Sequence, residues 1–75
     1  MATRNVAEHV GANVRAEMAR RRISQTSIAD EVGMTQSAIS RRLRGVTPFD
    51  VSTLALVAAC LNVPVASLID DPAAA

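Results

Sequence analysis

Residues 23–45 read ISQTSIADEVGMTQSAISRRLRG, and two short helices can be read from them. A Ser24 hydroxyl can accept from an amide of the turn that follows it, which predicts a helix over residues 25–32 with Ile28 and Val32 on its buried side and Gly33 as its stop. Thr35 can cap a further helix over residues 36–44, whose buried stripe is Ile39 and Leu43 and whose stop is Gly45. Two capped helices thus flank a turn centred on Gly33.

Outward from this pair the chain stays helical. Val6, Val10, Val14 and Met18 recur every four positions in a proline-free stretch, predicting an amphipathic helix over residues 5–21. Glu17 stands three and four residues before Arg20 and Arg21, a spacing at which side chains meet on a helix surface. On the other side, residues 46–49 with Pro48 read as a loop, and Asp50 can cap a helix over residues 51–61. Thr47 with Pro48 at the first helical position is an alternative start for that helix. Pro64 fits the first turn of a short fifth helix over residues 65–69, and residues 70–75 read as a frayed tail. No valine run alternates with polar residues as a strand would. The expected fold is all-α: a compact bundle of about five short helices forming one domain over residues 1–75.

Composition narrows the function. Hydrophobic residues make up 49% of the 75, enough for a globular core, but Phe49 is the only aromatic. Modules that stack bases on several aromatic rings are therefore disfavoured. A lone Cys60 cannot form an internal disulfide, and the start lacks the basic and apolar regions of a secretory leader, so the expected compartment is the cytoplasm. The longest apolar run, residues 54–61, is far short of the ~18 residues that would span a membrane.

The formal net charge of +1 conceals a segregation. Residues 15–44 carry seven arginines against Glu17, Asp30 and Glu31, whereas residues 45–75 carry Asp50, Asp70 and Asp71 and no base. One face could therefore meet a polyanion while another does not. All eight bases are arginine; the guanidinium fork suits phosphate and guanine, and the codon bias of a high-GC genome gives the same preference. Arg20, Arg21 and Arg22 read equally as a solvated helix end, where cations suit the helix dipole.

Two short capped helices around a glycine turn, in a helical domain with a basic middle, are the parts of a helix-turn-helix, here over residues 25–44. The chain also resembles the phage-repressor and Cro type of that motif, the XRE family with the lambda-repressor-like fold. The resemblance rests on Val10-Gly11 with Val14-Arg15, on Ile23-Ser24-Gln25, on Ile28-Ala29, and on the run from Val32-Gly33-Met34-Thr35 through Gln36-Ser37-Ala38-Ile39-Ser40. It continues in Leu43-Arg44-Gly45, Leu54, Leu61-Asn62-Val63 and Leu68, so that it covers residues 10–69. It implies a sequence-specific regulator that binds double-stranded operator DNA, commonly as a homodimer on palindromic or pseudo-palindromic sites.

At ~100° per residue, with Gln36 at zero, Ser40 falls at about 40°, Arg44 at about 80°, Ser37 at about 100° and Arg41 at about 140°. Ile39 and Leu43 lie at about 300° and 340°. A helix packed by those two residues presents a donor-rich strip suited to major-groove base edges and flanking phosphates. Gln36 can pair with adenine, Arg41 has the fork for guanine, and Ser37 and Ser40 can bond to several bases. Relatives read bases from the positions matched by Gln36, Ser37 and often Arg41. Arg44 is expected on phosphate, together with Ser24, Gln25 and Thr35 at the helix starts and the loop of Gly45, Val46 and Thr47. The resemblance also implies that Gln25 braces Gln36. Some relatives join the positions of Met18 and Leu43 by a buried ion pair. Both are apolar here, a replacement that is often neutral or stabilising, and a direct contact between them is expected.

The remaining candidates point to no further chemistry. His9 has no second ligand at metal-binding spacing and reads as a surface residue. Cys60 reads as inert packing. Asp30 with Glu31, and Asp70 with Asp71, are sequence neighbours that diverge on a helix and form no catalytic pair. No enzyme, metal, cofactor or small-molecule ligand is expected. Leu56 is left over once Leu54, Val57, Ala58 and Leu61 complete one helix face; with Ala59 and Cys60 it marks a second face, packed under the first helix or lying in a dimer seam. Leu56 and Leu68 are thus the candidate dimer or interaction residues, and the rival function is a protein-interaction module of the same fold, antitoxin-like, without autonomous DNA binding. Within the leading function the niche is a phage immunity or Cro-like repressor, with a host or plasmid regulator or an antitoxin as the open alternatives.

Overall fold

The computed structural model describes residues 5–70, which form five helices and no strand: α1 (Val6–Arg21), α2 (Gln25–Val32), α3 (Gln36–Leu43), α4 (Val51–Leu61) and α5 (Val65–Ile69). Of the expected tail, residues 71–75 lie outside the described residues; Asp70 closes α5. Among the described residues no helix is long and apolar enough to cross a membrane.

Caps set the boundaries. Ser24, Thr35 and Asp50 accept from the amides of Ser27, Ala38 and Thr53, each at 3.1 Å. Gly33 ends α2 in the left-handed conformation, φ 72°. α1 opens on a capping box: Asn5 accepts from the Glu8 amide at 2.8 Å, and the Glu8 carboxylate accepts from the Asn5 amide at 3.2 Å. α4 starts from Asp50, so the Thr47 and Pro48 alternative is not taken. Pro64 stands one residue before α5, in the cap position, and Arg44 caps α3 rather than extending it.

The core is wholly aliphatic: Val10, Val14 and Met18 from α1, Ile28 and Ala29 from α2, Ile39 and Leu43 from α3, Leu54, Val57, Ala58 and Leu61 from α4, and Leu68 from α5. Met18 and Leu43, the pair that is charged in some relatives, are both buried in it. Val6 departs from its expected place and is 72% exposed, because the first turn of α1 overhangs the core, which begins at Val10. On α2 it is Ala29 rather than Val32 that accompanies Ile28 to full burial, and Val32 packs at the margin.

Leu68 corrects a second expectation. It is fully buried and belongs to the core, so it offers no surface for a partner. α5 is drawn in by polar contacts that hydropathy does not reveal. The Nδ2 amide of Asn13 donates to the carbonyls of Leu68 and Asp70, at 3.0 and 2.8 Å, and His9 Nε2 lies 3.0 and 2.6 Å from those of Ile69 and Asp70. His9 is thus half-buried and occupied, not a plain surface residue. The two side chains satisfy carbonyls that a helix end leaves without intrahelical partners.

Among the described elements, α3 packs on α1 and α2. Its carboxyl end meets α1 at Gly11, where a Cβ would stand 2.5 Å from the Leu43 carbonyl oxygen and 2.8 Å from that of Arg42. A Cβ on Gly45 would in turn meet the Glu8 Cα at 2.6 Å. The nearest obstacle at each glycine is backbone, so Gly11 in α1 and Gly45 just beyond α3 let the two segments touch with little side chain between them.

Two expectations follow. Helix propensity alone favours Gly11→Ala by about 1 kcal/mol, whereas overpacking against rigid carbonyls costs about 1–3 kcal/mol. The larger effect wins here, because backbone cannot turn aside. Thermal unfolding should show Tm lowered by on the order of 5–10 °C; an unchanged or raised Tm would contradict the close approach. The second expectation concerns Asp50, whose carboxyl is held below the ordinary aspartate range by the hydroxyl and amide of Thr53, with Arg42 adding a smaller attraction. A lowered folded-state value means that the cap's contribution is present above the unfolded value of about 3.9 and is lost as pH falls through the folded one. Tm should therefore drop on acidification below about pH 4, and Asp50→Asn, which caps equally well, should remove this component. Equal acid sensitivity in the two proteins would contradict the assignment.

Candidate nucleic-acid interface

The side of α3 opposite Ile39 and Leu43 faces away from the bundle. Gln36, Ser37, Arg41 and Arg44 are exposed, and Ser40 is half-buried between them. The strip predicted from the helical angle is therefore brought together at the surface. α3 is held from behind by its two fully buried aliphatics, from below by the Thr35 cap, and at its carboxyl end by the contact with α1. A helix so fixed needs no backbone ordering when a ligand arrives, although its exposed side chains still lose rotamer freedom.

Neither Arg41 nor Arg44 is paired with a carboxylate among the described residues, so both guanidinium groups are available to an anion. The arginines at the end of α1 differ. Glu17 takes Arg20 at 2.6 Å and also pairs with Arg21, and these two contacts, Arg21 foremost, hold its carboxyl below the ordinary range. One unit of the positive charge in that part of the basic block is thus offset by Glu17. Arg42 turns aside from the strip: it is half-buried, its Nη1 donates to the Ala38 carbonyl at 3.0 Å, and its positive charge acts on Asp50.

Ser24 and Gln25 stand exposed at the start of α2, and Thr35 stands exposed at the start of α3. The Ser24 and Thr35 hydroxyl oxygens accept from their own helices, which leaves each hydroxyl proton to be donated outward. The loop after α3 corrects the sequence reading. Its amides do not point to a ligand, because Gly45 donates to the Arg42 carbonyl at 3.1 Å, and Val46 and Thr47 donate to that of Arg41 at 2.9 and 3.4 Å. Thr47 is half-buried, and its hydroxyl is the side-chain donor left in that loop.

The brace expected from Gln25 comes one residue later. Gln36 Nε2 donates to the hydroxyl oxygen of Thr26. Nothing in local sequence singled Thr26 out, since a threonine in the first turn of a helix is ordinary. The Asn5 and Glu8 pair was findable, being three residues apart before an apolar run.

Among the described residues no group of His, Cys, Asp and Glu could hold a metal ion. Burial, with the negative charge of Glu31 adding to it, pushes the Cys60 thiol up, away from the thiolate a nucleophile requires.

Known proteins place this geometry. The clp gene regulator ClgR from C. glutamicum is similar in structure, with a TM-score of 0.83 at 23% identity over 88% of this chain and 86% of that one. The restriction-modification controller protein C.AhdI from Aeromonas hydrophila gives a TM-score of 0.77 at 19% identity, covering 83% of this chain and 94% of that one. The DNA-binding domain of BldD gives 0.75 at 22% identity, covering 92% and 100%. At such identities the likeness is one of fold. No curated protein matches the chain. The helix-turn-helix family model matches residues 14–68, from the middle of α1 to the buried leucine of α5. With that match over most of its length, and α2, α3 and their intervening turn in the order the motif requires, the chain belongs to the helix-turn-helix family, of the XRE type that its segments resemble.

Proposed function

We propose that the protein is a sequence-specific double-stranded DNA-binding transcription regulator that lays α3 in the major groove. The observation that carries this reading is the strip of exposed Gln36, Ser37, Arg41 and Arg44, with half-buried Ser40 between them, on a helix packed from one side only. Family membership and likeness to the DNA-binding domain of BldD support it. In this reading Gln36 pairs with adenine, Arg41 with guanine, and Ser37 and Ser40 bond to neighbouring base edges. Arg44, Ser24, Gln25, Thr35 and Thr47 hold phosphates, which fix register without reading sequence.

The finer role is that of a repressor of the phage immunity or Cro type, acting in the cytoplasm by occupying an operator. Two copies bind together at least on DNA, with half-sites about one turn apart. Their seam is the outer face of α4, where Val51 is 82% and Leu56 51% exposed and Ala55 and Ala59 are also open. Leu56 therefore does not pack under α1, and Leu68, being buried, takes no part in the seam.

Selection of bound sites from a random duplex library should return a pseudo-palindrome. Arg41→Ala should flatten preference at one base pair of each half-site, by roughly 1–3 kcal/mol. Arg44→Ala should weaken all sequences alike and reduce the slope of log affinity against log salt by about 1. No selection, with no binding at micromolar protein at low or high salt, would instead support an interaction module of the same fold. In a separate titration, Leu56→Asp should leave affinity for a single half-site unchanged and abolish cooperative filling of two. Retained cooperativity would place the seam elsewhere.

A further inference from the structure

Gln36 begins α3, and its amide crosses the turn to donate to Thr26 in the first turn of α2, ten residues earlier in the chain. Both residues are exposed, so this bond lies on the surface assigned above to the groove. A glutamine amide carries a donor and an acceptor side by side, and half a rotation exchanges them. Adenine presents its N7 acceptor and N6 donor in a fixed order, so only one of the two orientations forms both bonds from a given position. With its amide hydrogen-bonded to Thr26, the Gln36 side chain is already in place when a base arrives. Thr26 suits this task because its β-branched side chain has few rotamers, and its helix turn is fixed by the Ser24 cap.

We infer that Thr26 is a positioning residue that sharpens the base preference of Gln36 by holding its side chain in place before DNA arrives. Gln25, its neighbour, is left to phosphate. The inference rests on the DNA-binding reading above and adds to it a residue that touches no base.

The test uses the full chain as wild type, Gln36→Ala, Thr26→Val, Thr26→Ser and the double variant Thr26→Val with Gln36→Ala. Sites are selected from a random duplex library, and affinity is then measured on the selected site and on one changed at the base pair whose preference Gln36→Ala abolishes. Thr26→Val keeps the shape and removes the hydroxyl. It should lower discrimination at that base pair about fivefold, the scale of immobilising one flexible side chain, while other positions, the salt slope and Tm stay as in wild type. Thr26→Ser should restore the preference, and the double variant should lose no more than Gln36→Ala. Undiminished discrimination by Thr26→Val, failure of Thr26→Ser to restore it, or a loss fully additive with that of Gln36→Ala would overturn the inference. Wild type selecting no duplex at all would overturn the DNA-binding reading itself. Selection by wild type with every preference intact in Gln36→Ala would overturn the role of Gln36 and, with it, that of Thr26.

Discussion

Where α1 crosses the end of α3, two backbones touch with little side chain between them, and the direction of α3 follows from that contact. Gly11 lets the carbonyls of Arg42 and Leu43 come within the space that a Cβ would fill, and Gly45 does the same for the first turn of α1. The one aromatic, Phe49, packs only against the margin of the core, so no large rigid plate at its centre orients the helices. Short helices packed by Val, Ile and Leu could settle at several angles, and a small domain has only a few kcal/mol with which to choose among them. Backbone contact at one end, the α2 packing at the other and the caps between leave α3 one position.

That position separates charge as well as shape. Glu17 is shared by Arg20 and Arg21 along α1 and offsets one of their two charges, and Arg42 folds back toward Ala38 and the start of α4. Arg41 and Arg44 have no carboxylate partner among the described residues, on the strip that also carries Gln36 and Ser37. The charge available to a polyanion is therefore smaller than the arginine count suggests, and better placed. Asp50 and Asp70 lie beyond α3 in sequence, whereas Glu8, Glu17, Asp30 and Glu31 precede it.

The parts legible in the sequence were those ruled by local physics. Ser24, Thr35 and Asp50 cap the helices assigned to them, Gly33 ends α2, and the angular position of residues along α3 predicts which are exposed, because each depends on neighbours within one or two turns. What escaped depends on distant partners. Leu56 and Leu68 look alike in sequence, yet Leu68 is buried because Asn13 and His9, nearly sixty residues away, hold the carbonyls at its helix end. The same applies to Thr26, whose value comes from a glutamine ten residues on. The loop after α3 looked open because hydrogen bonds that fold amides back onto a helix end leave no mark in composition.

Groove choice is what the whole account stands on, and dimethyl sulfate interference measures it. The reagent methylates guanine at N7, in the major groove, and adenine at N3, in the minor groove. Premethylated duplex carrying the selected site should fail to bind wherever a guanine faced by Arg41 is modified, while adenine N3 methylation in the same half-site leaves binding intact. Interference confined to adenine N3, or none at any guanine of the site, would contradict the placement of α3 in the major groove.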